Sequence, residues 1–489
     1  MNQIKQKHLI EYGDFQTPID LAMEICQKIC KLGIQPRIVI EPTCGYGNFI
    51  DAASQMFPYL EKIIGIEINS DYLCQLQQNH RLKNYDILEI YHQDFFQFDW
   101  SELKPYDKYE PLILGNFPWV TNSQQGVISG QNLPSKSNFN HYQGLEAITG
   151  KSNFDISEWM LIKSIEYLHK INGYIAILCK TSVARKIISY TYNREMKLAY
   201  LHVYKIDAKK YFHVNVDACL LVCKFDSESS KYNYDIFDSL QSSSFYRLGY
   251  YNKTLIRDME VFEEVKSLFN IKSQTRWRSG VKHDCSNIME LHRIDDKYMN
   301  GFSEIIDIED TYLYPLLKGS DIAKGQVLRT DRYVVVTQKQ IGQSTDDIKK
   351  YAPKTWKYLS RYSQYLDGRK SKIYRQHPRF SVFGVGDYSF SPWKIAICGL
   401  YKKISFQLVG EIDNQPTIFD DTVYFLSFEN KKQAEDTLEL LRSPTAIKFY
   451  SSLIFWDDKR PIKASILNSL DLNILKSLLH TSESNCGIN

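Results

Sequence analysis

A chain of 489 residues, 43% apolar and 24% charged, carries too much apolar material for a disordered polymer and too many residues for one ordinary core, so two globular domains are expected. A net charge of +3 neither demands nor excludes a polyanionic partner and leaves that question to local patches. No apolar run reaches the ~18 residues of a membrane span, and Met1 to Gln6 does not open a secretory signal, so a cytoplasmic protein is expected.

In chain order, Ile19 to Leu32 repeats Leu21, Ala22, Ile25, Cys26, Ile29 and Leu32 at helical spacing. Short apolar runs follow at Ile38–Ile40, Ile63–Ile68, Leu112–Leu114 and Tyr174–Cys179, with helical patterns such as Ile156 to His169 between some of them. That alternation predicts a doubly wound parallel α/β sheet. Leu201–Ile206 and Ala218–Phe225 read as a strand pair closing the sheet edge. The Ser-, Asp- and Tyr-rich stretch 226–244 reads as a linker between a first domain, 1–225, and a second α+β domain, 245–489. None of the ten cysteines falls into paired spacing with histidines nearby, so neither zinc nor disulfides are expected and no metal is called for.

The informative positions lie where the strands end. Ile38-Val39-Ile40-Glu41 runs into Pro42-Thr43-Cys44-Gly45-Tyr46-Gly47, an acid followed by a glycine turn that opens a helix. Such a turn lets backbone approach a ligand closely. The next strand ends in Glu67, the place of a ribose-binding acid in nucleotide folds. The third ends near Asp94, with Phe95 beside it, where a carboxylate can accept from an adenine amino group. Alone, each acid reads as a solvated strand end; three in βαβ register read as a cofactor site.

The fourth strand runs into Asn116-Phe117-Pro118-Trp119. The exocyclic amine of adenine is a poor nucleophile because its lone pair is delocalised into the ring. Two acceptors against its two hydrogens, the Asn116 side-chain oxygen and the Phe117 carbonyl, favour a more nucleophilic nitrogen. Fixed in a dry pocket, each acceptor is worth roughly 3 kcal/mol. Pro118 stiffens the turn, and Trp119 is placed to stack on a base, for about 1–3 kcal/mol.

Asp14-Phe15-Gln16-Thr17-Pro18, the glycine loop and Asn116–Trp119, in that order, resemble the gamma-type (TaqI-like) N6-adenine DNA methyltransferases of bacterial restriction–modification systems. The resemblance implies a Rossmann-like class I methyltransferase domain followed by a target-recognition domain. It further implies S-adenosyl-L-methionine held by Thr17, Glu41, Cys44, Gly45, Gly47, Glu67, Asp94, Phe95 and Phe154. Asn116, Phe117, Pro118 and Trp119 become catalytic, and Trp119 with Phe212 (Tyr211 close behind) stacks on the flipped target base. Phe117 departs from the family's usual proline, and because that position acts through its carbonyl, activity is expected to survive. The polar stretch 121–152 is long for a connection and is expected to contact DNA.

Beyond residue 245, Arg276-Trp277-Arg278-Ser279-Gly280-Val281-Lys282 and Arg369-Lys370-Ser371-Lys372-Ile373-Tyr374-Arg375, continuing to Arg379, cluster cations. Arg276, Arg278, Lys282, Arg369, Lys370, Lys372, Arg375 and Arg379 are therefore the candidate DNA contacts, tracking phosphates or reading guanine edges. Tyr314 to Ile322 resembles a segment of the family's recognition domain. The expected partners are duplex DNA and a separately encoded restriction endonuclease, with a monomeric enzyme. The competing readings are an RNA or protein-glutamine methyltransferase and a non-catalytic recognition subunit.

Overall fold

The computed structural model describes residues 15–79, 86–119, 155–229 and 234–486. The chain divides into two compact units, Met1–Met259 and Glu260–Asn489. Among the described residues, no helix is long and apolar enough to cross a membrane.

In the first unit, helix α1 (Ile19–Lys31) buries Leu21, Ala22, Ile25, Cys26 and Ile29, the face its spacing predicts. Strands β1 (Ile38–Glu41), β2 (Lys62–Glu67), β3 (Leu88–His92), β4 (Leu112–Asn116) and β5 (Tyr174–Lys180) form a parallel run in the order β3-β2-β1-β4-β5. Helices α2 (Asn48–Met56), α3 (Ser70–Gln78) and α4 (Ile156–Leu168) occur between these strands in the chain. β1, β2 and β4 are buried along almost their whole length, as the strands of a sheet covered on both faces must be. The strand order reverses between β1 and β4, and the crevice at that switch point, beyond the carboxyl ends of the strands, is where such sheets bind ligands. This is the doubly wound, Rossmann-like sheet that the sequence predicts.

The expected edge is absent. β6 (Leu198–Ile206) and β7 (Ala218–Phe225) do pair antiparallel, but β8 (Tyr234–Phe237) adds parallel to β6, followed by β9 (Phe245–Tyr251) and β10 (Thr254–Ile256). The stretch read as a linker therefore contains a strand, and the first unit runs to Met259 instead of 225. Tyr234 and Ile236 face the core, and Asp235 between them accepts from Arg247 of β9 at 2.8 Å.

The second unit is α+β. A four-stranded antiparallel sheet, β11 (Arg278–Ser279), β20 (Val423–Phe428), β17 (Trp393–Cys398) and β18 (Gln407–Val409), accompanies a six-stranded one. The latter takes the order β14 (Ile305–Ile306), β13 (Lys297–Met299), β12 (Glu290–Ile294), β16 (Arg332–Val335), β15 (Leu313–Leu317), β19 (Ile418–Phe419). A core built around Leu291, Val334, Leu359 and Phe380 packs this larger sheet.

Candidate active site

The strand ends of the first unit line an open cavity. Glu41 from β1, Glu67 from β2, Asp94 and Phe95 after β3, and Asn116 and Pro118 at the end of β4 all line it. Thr17, Cys44 and Gly45 line it as well, with Ile156 and Met160 of α4. Most of the predicted site residues are thus gathered on one surface.

Glu67 is held by two backbone donors, Gly45 N–H at 2.8 Å and Asn69 N–H at 2.8 Å, which lock the glycine turn onto the end of β2. Gly45 and Gly47 adopt left-handed φ values of 50° and 81°, and Gly47 begins α2 while donating to the Cys44 carbonyl at 2.8 Å. Gly47 does not line the cavity; it shapes the turn and leaves contact to its neighbours. Asp94 uses Oδ1 to accept from Phe96 N–H at 2.9 Å, an arrangement that fixes its carboxylate at the rim. Burial, with the Glu41 and Glu67 carboxylates nearby, holds the Cys44 thiol well above its ordinary range, so Cys44 is a packed wall and no nucleophile.

Three buried polar atoms on this cavity have no hydrogen-bond partner among the described residues: Thr17 Oγ1, Glu41 Oε2 and Asn116 Oδ1. Leaving a buried polar atom unpaired costs about 1–3 kcal/mol, and their convergence from three separate segments marks a ligand site. Glu41 shows the same strain electrostatically. Burial first, then the neighbouring Glu67, pushes its carboxyl well above the carboxylate range. Three carboxyl groups lining one cavity suit a cationic ligand.

Asn116 is oriented from its other end. Its Nδ2 donates to the Phe15 carbonyl at 2.9 Å, leaving Oδ1 as the free acceptor. Thr43 Oγ1 donates to the Asn116 carbonyl at 3.2 Å. The Phe117 ring turns away from the cavity, 1% exposed, and packs edge-on against Phe95 with centroids 5.8 Å apart. The departure from the family's proline is therefore absorbed by the core.

Trp119 and Phe212 meet, but not as parallel walls. Their rings stand edge to face, centroids 5.0 Å apart at 66°, with Phe15 against both. Neither lines the cavity. Tyr211 is tied through its hydroxyl to Glu24 and Lys210. Phe154 and 121–152 lie outside the described residues. Sequence reasoning gave Phe15 no role, although it lies in a quoted motif; its carbonyl is what orients Asn116. Asn48, whose Nδ2 donates to the Thr17 carbonyl at 2.7 Å, was also missed.

No protein-family model matches the chain. It is 58% identical over 474 residues, 97% of its length and 99% of the relative's, to "Type II methyltransferase M.NspV" from Nostoc sp.. The chain belongs to the type II DNA methyltransferases of restriction–modification systems. The fold of this methyltransferase is similar to that of the type IIL restriction–modification enzyme MmeI, solved in complex with DNA, at a TM-score of 0.56 and 14% identity over 96% of this chain and 67% of that one. The methyltransferase subunit of a type I system from Streptococcus thermophilus aligns at a TM-score of 0.33 and 14% identity over 45% of this chain and 46% of that one.

In the second unit of the methyltransferase, the candidate cations fall into three groups: buried, paired with an acid, and exposed without an ion pair. Arg369 is buried. It donates to the carbonyls of Leu366, His283 and Ser381 at 2.7, 3.1 and 2.9 Å and lies 3.6 Å over the Tyr374 ring. It is a structural strut, and the expectation that it contacts DNA is corrected. Trp277 is likewise buried, against Phe406. Arg379 pairs with Asp367 at 2.8 Å and Lys282 with Asp284 at 3.5 Å. Arg276 donates to the Ser273 carbonyl, and Arg278 lies over the Tyr388 ring, both remaining exposed. Lys370, Lys372 and Arg375 are exposed and form no ion pair with another described residue. The Tyr314–Ile322 segment becomes β15 and a following helix turn, with Lys318 paired to Glu290 at 2.5 Å.

Proposed function

We propose that the protein methylates the N6 amino group of an adenine in duplex DNA, as the modification enzyme of a type II system whose restriction endonuclease is a separate protein. The observation that carries this reading is Asn116 Oδ1, a buried, unpaired acceptor at the end of β4 whose orientation is set by the Phe15 carbonyl. An acceptor so placed recognises N–H groups and strengthens an amine as a nucleophile when the Phe117 carbonyl takes the second hydrogen.

The residues present fit S-adenosylmethionine. Glu67 is placed for ribose hydroxyls, and Asp94 with Phe95 for an adenine ring and its amino group. The unpaired oxygens of Thr17 and Glu41 suit the cationic methionine end. Bound there, the cofactor supplies an electrophilic methyl group. Asn116 and Phe117 hold the target amine and Pro118 stiffens the turn between acceptors and cavity wall. Trp119 and Phe212 part to receive the base, a motion that accompanies its extrusion from the duplex, which itself costs a few kcal/mol. Contacts from the second unit offset that cost, carried by the exposed Lys370, Lys372 and Arg375 and joined by Arg276, Arg278 and Lys282.

The test is product analysis. Unmethylated plasmid DNA incubated with protein and S-adenosylmethionine, then digested to nucleosides, is expected to yield N6-methyl-2′-deoxyadenosine by mass spectrometry. Methyl groups on cytosine, or transfer to RNA in preference to duplex DNA, would overturn the reading.

A further inference from the structure

Lys180, the last residue of β5, received no role from the sequence, yet its ammonium joins two segments that flank the cavity. Its Nζ donates to the Trp119 carbonyl at 2.9 Å and to Asp155 Oδ2 at 2.6 Å. The Lys180 side chain is 21% exposed and that of Asp155 only 7%, so this is no solvated surface pair. The other oxygen of Asp155, Oδ1, accepts from the Ser157 N–H at 3.2 Å and its hydroxyl at 2.6 Å, capping α4.

Each partner is one step from the site. Trp119 ends the tetrapeptide whose Asn116 and Pro118 line the cavity, and Asp155 starts the helix whose Ile156 and Met160 line it from another side. β5 is parallel to β4, with Leu178 opposite Asn116, so Lys180 emerges at the same end of the sheet as the reactive acceptors. Charge-assisted bonds from a single ammonium therefore fix the tetrapeptide turn relative to α4.

We infer that Lys180 is a positioning residue for methyl transfer: with Asp155 it clamps the Asn116–Trp119 turn in the geometry that presents both acceptors to the target amine. This rests on the reading of Asn116 given above. A neutral side chain at 180 frees the Trp119 carbonyl and leaves Asp155 buried beside no counter-charge, and a displacement of the turn by about 1 Å is enough for a 100-fold loss of rate.

The experiment compares Lys180→Met, Lys180→Arg and Asp155→Asn with the wild type in single-turnover methylation of unmethylated plasmid DNA. Cofactor affinity is measured by calorimetry and folding by thermal melting. Lys180→Met is expected to slow transfer about 100-fold while S-adenosylmethionine affinity stays within about threefold. Lys180→Arg, which keeps the charge, should recover most of the rate, and Asp155→Asn should fall between. A Lys180→Met enzyme that transfers at the wild-type rate overturns the inference. So does a parallel loss of rate, affinity and melting temperature that Lys180→Arg fails to restore, which marks a purely structural lysine. The nucleoside analysis of the wild-type product tests the adenine reading separately, so the two failures are distinguishable.

Discussion

The strand ends of the first unit and the basic stretches of the second were both singled out as functional, and the structure treats them differently. Glu41, Glu67, Asp94 and Asn116 all line one cavity, because a parallel sheet delivers the carboxyl ends of its strands to a single side. The cations had no such constraint. Arg369 is a buried strut, Arg379 and Lys282 neutralise nearby acids, and Lys370, Lys372 and Arg375 stay exposed. A residue whose place is fixed by topology can be assigned from its neighbours in sequence; a flexible charged side chain is assigned only by what surrounds it in space.

That contrast can be broken or sharpened. The largest effect is expected from Asn116→Ala, which removes the unpaired acceptor. Methyl transfer should fall by about 1,000-fold, roughly 4 kcal/mol, with cofactor affinity little changed in calorimetry. Full activity in that variant would dissolve the distinction between the two regions. Next, Arg369→Ala strips donors from three buried carbonyls and should destabilise the protein by about 3 kcal/mol in denaturant melts. The salt slope of its DNA binding should stay at the wild-type value; a reduced slope would return Arg369 to the interface.

A smaller effect follows from Glu41. Its folded carboxyl keeps its proton above the pH at which the unfolded chain releases it, so its contribution to stability is present below the ordinary carboxylate range and fades as pH rises toward its raised value. Glu41→Gln should flatten that decline in pH-dependent melting. The same substitution should weaken S-adenosylmethionine about tenfold, because the cationic ligand favours the ionised acid. Cofactor binding to the wild type should then release protons, and calorimetry in two buffers of different ionisation heat showing no difference would refute this. The smallest effect is expected from Arg375→Ala: the slope of log affinity for DNA against log salt should drop by about 1, with melting unchanged.

Much of this was legible in advance. α1 and four of the five parallel strands follow from runs and spacings that need no partner to be recognised, whereas β3 (Leu88–His92) was implied only by the spacing of Asp94 behind it. Glu41, Glu67 and Asn116 were picked out because each ends such a run, and they line the cavity together with Asp94 and Pro118. β8 was not: Tyr234-Asp235-Ile236-Phe237 is short, sits among serines and aspartates, and is stabilised by pairing with β6, far upstream. The edge-to-face contact of Trp119 with Phe212 and the Arg369 bonds are equally non-local. Lys180 could have been suspected, since a cation ending an otherwise apolar strand must find a partner, but nothing in the chain order points to Trp119 and Asp155.

The three strands past β7 also bear on how this enzyme can be divided. A fragment cut after Phe225 would strip β8 from β6 and bare a row of unpaired backbone amides and carbonyls, an adhesive margin that invites self-association. Cutting after Met259 leaves that margin covered, so a soluble cofactor-binding half should begin from the longer piece.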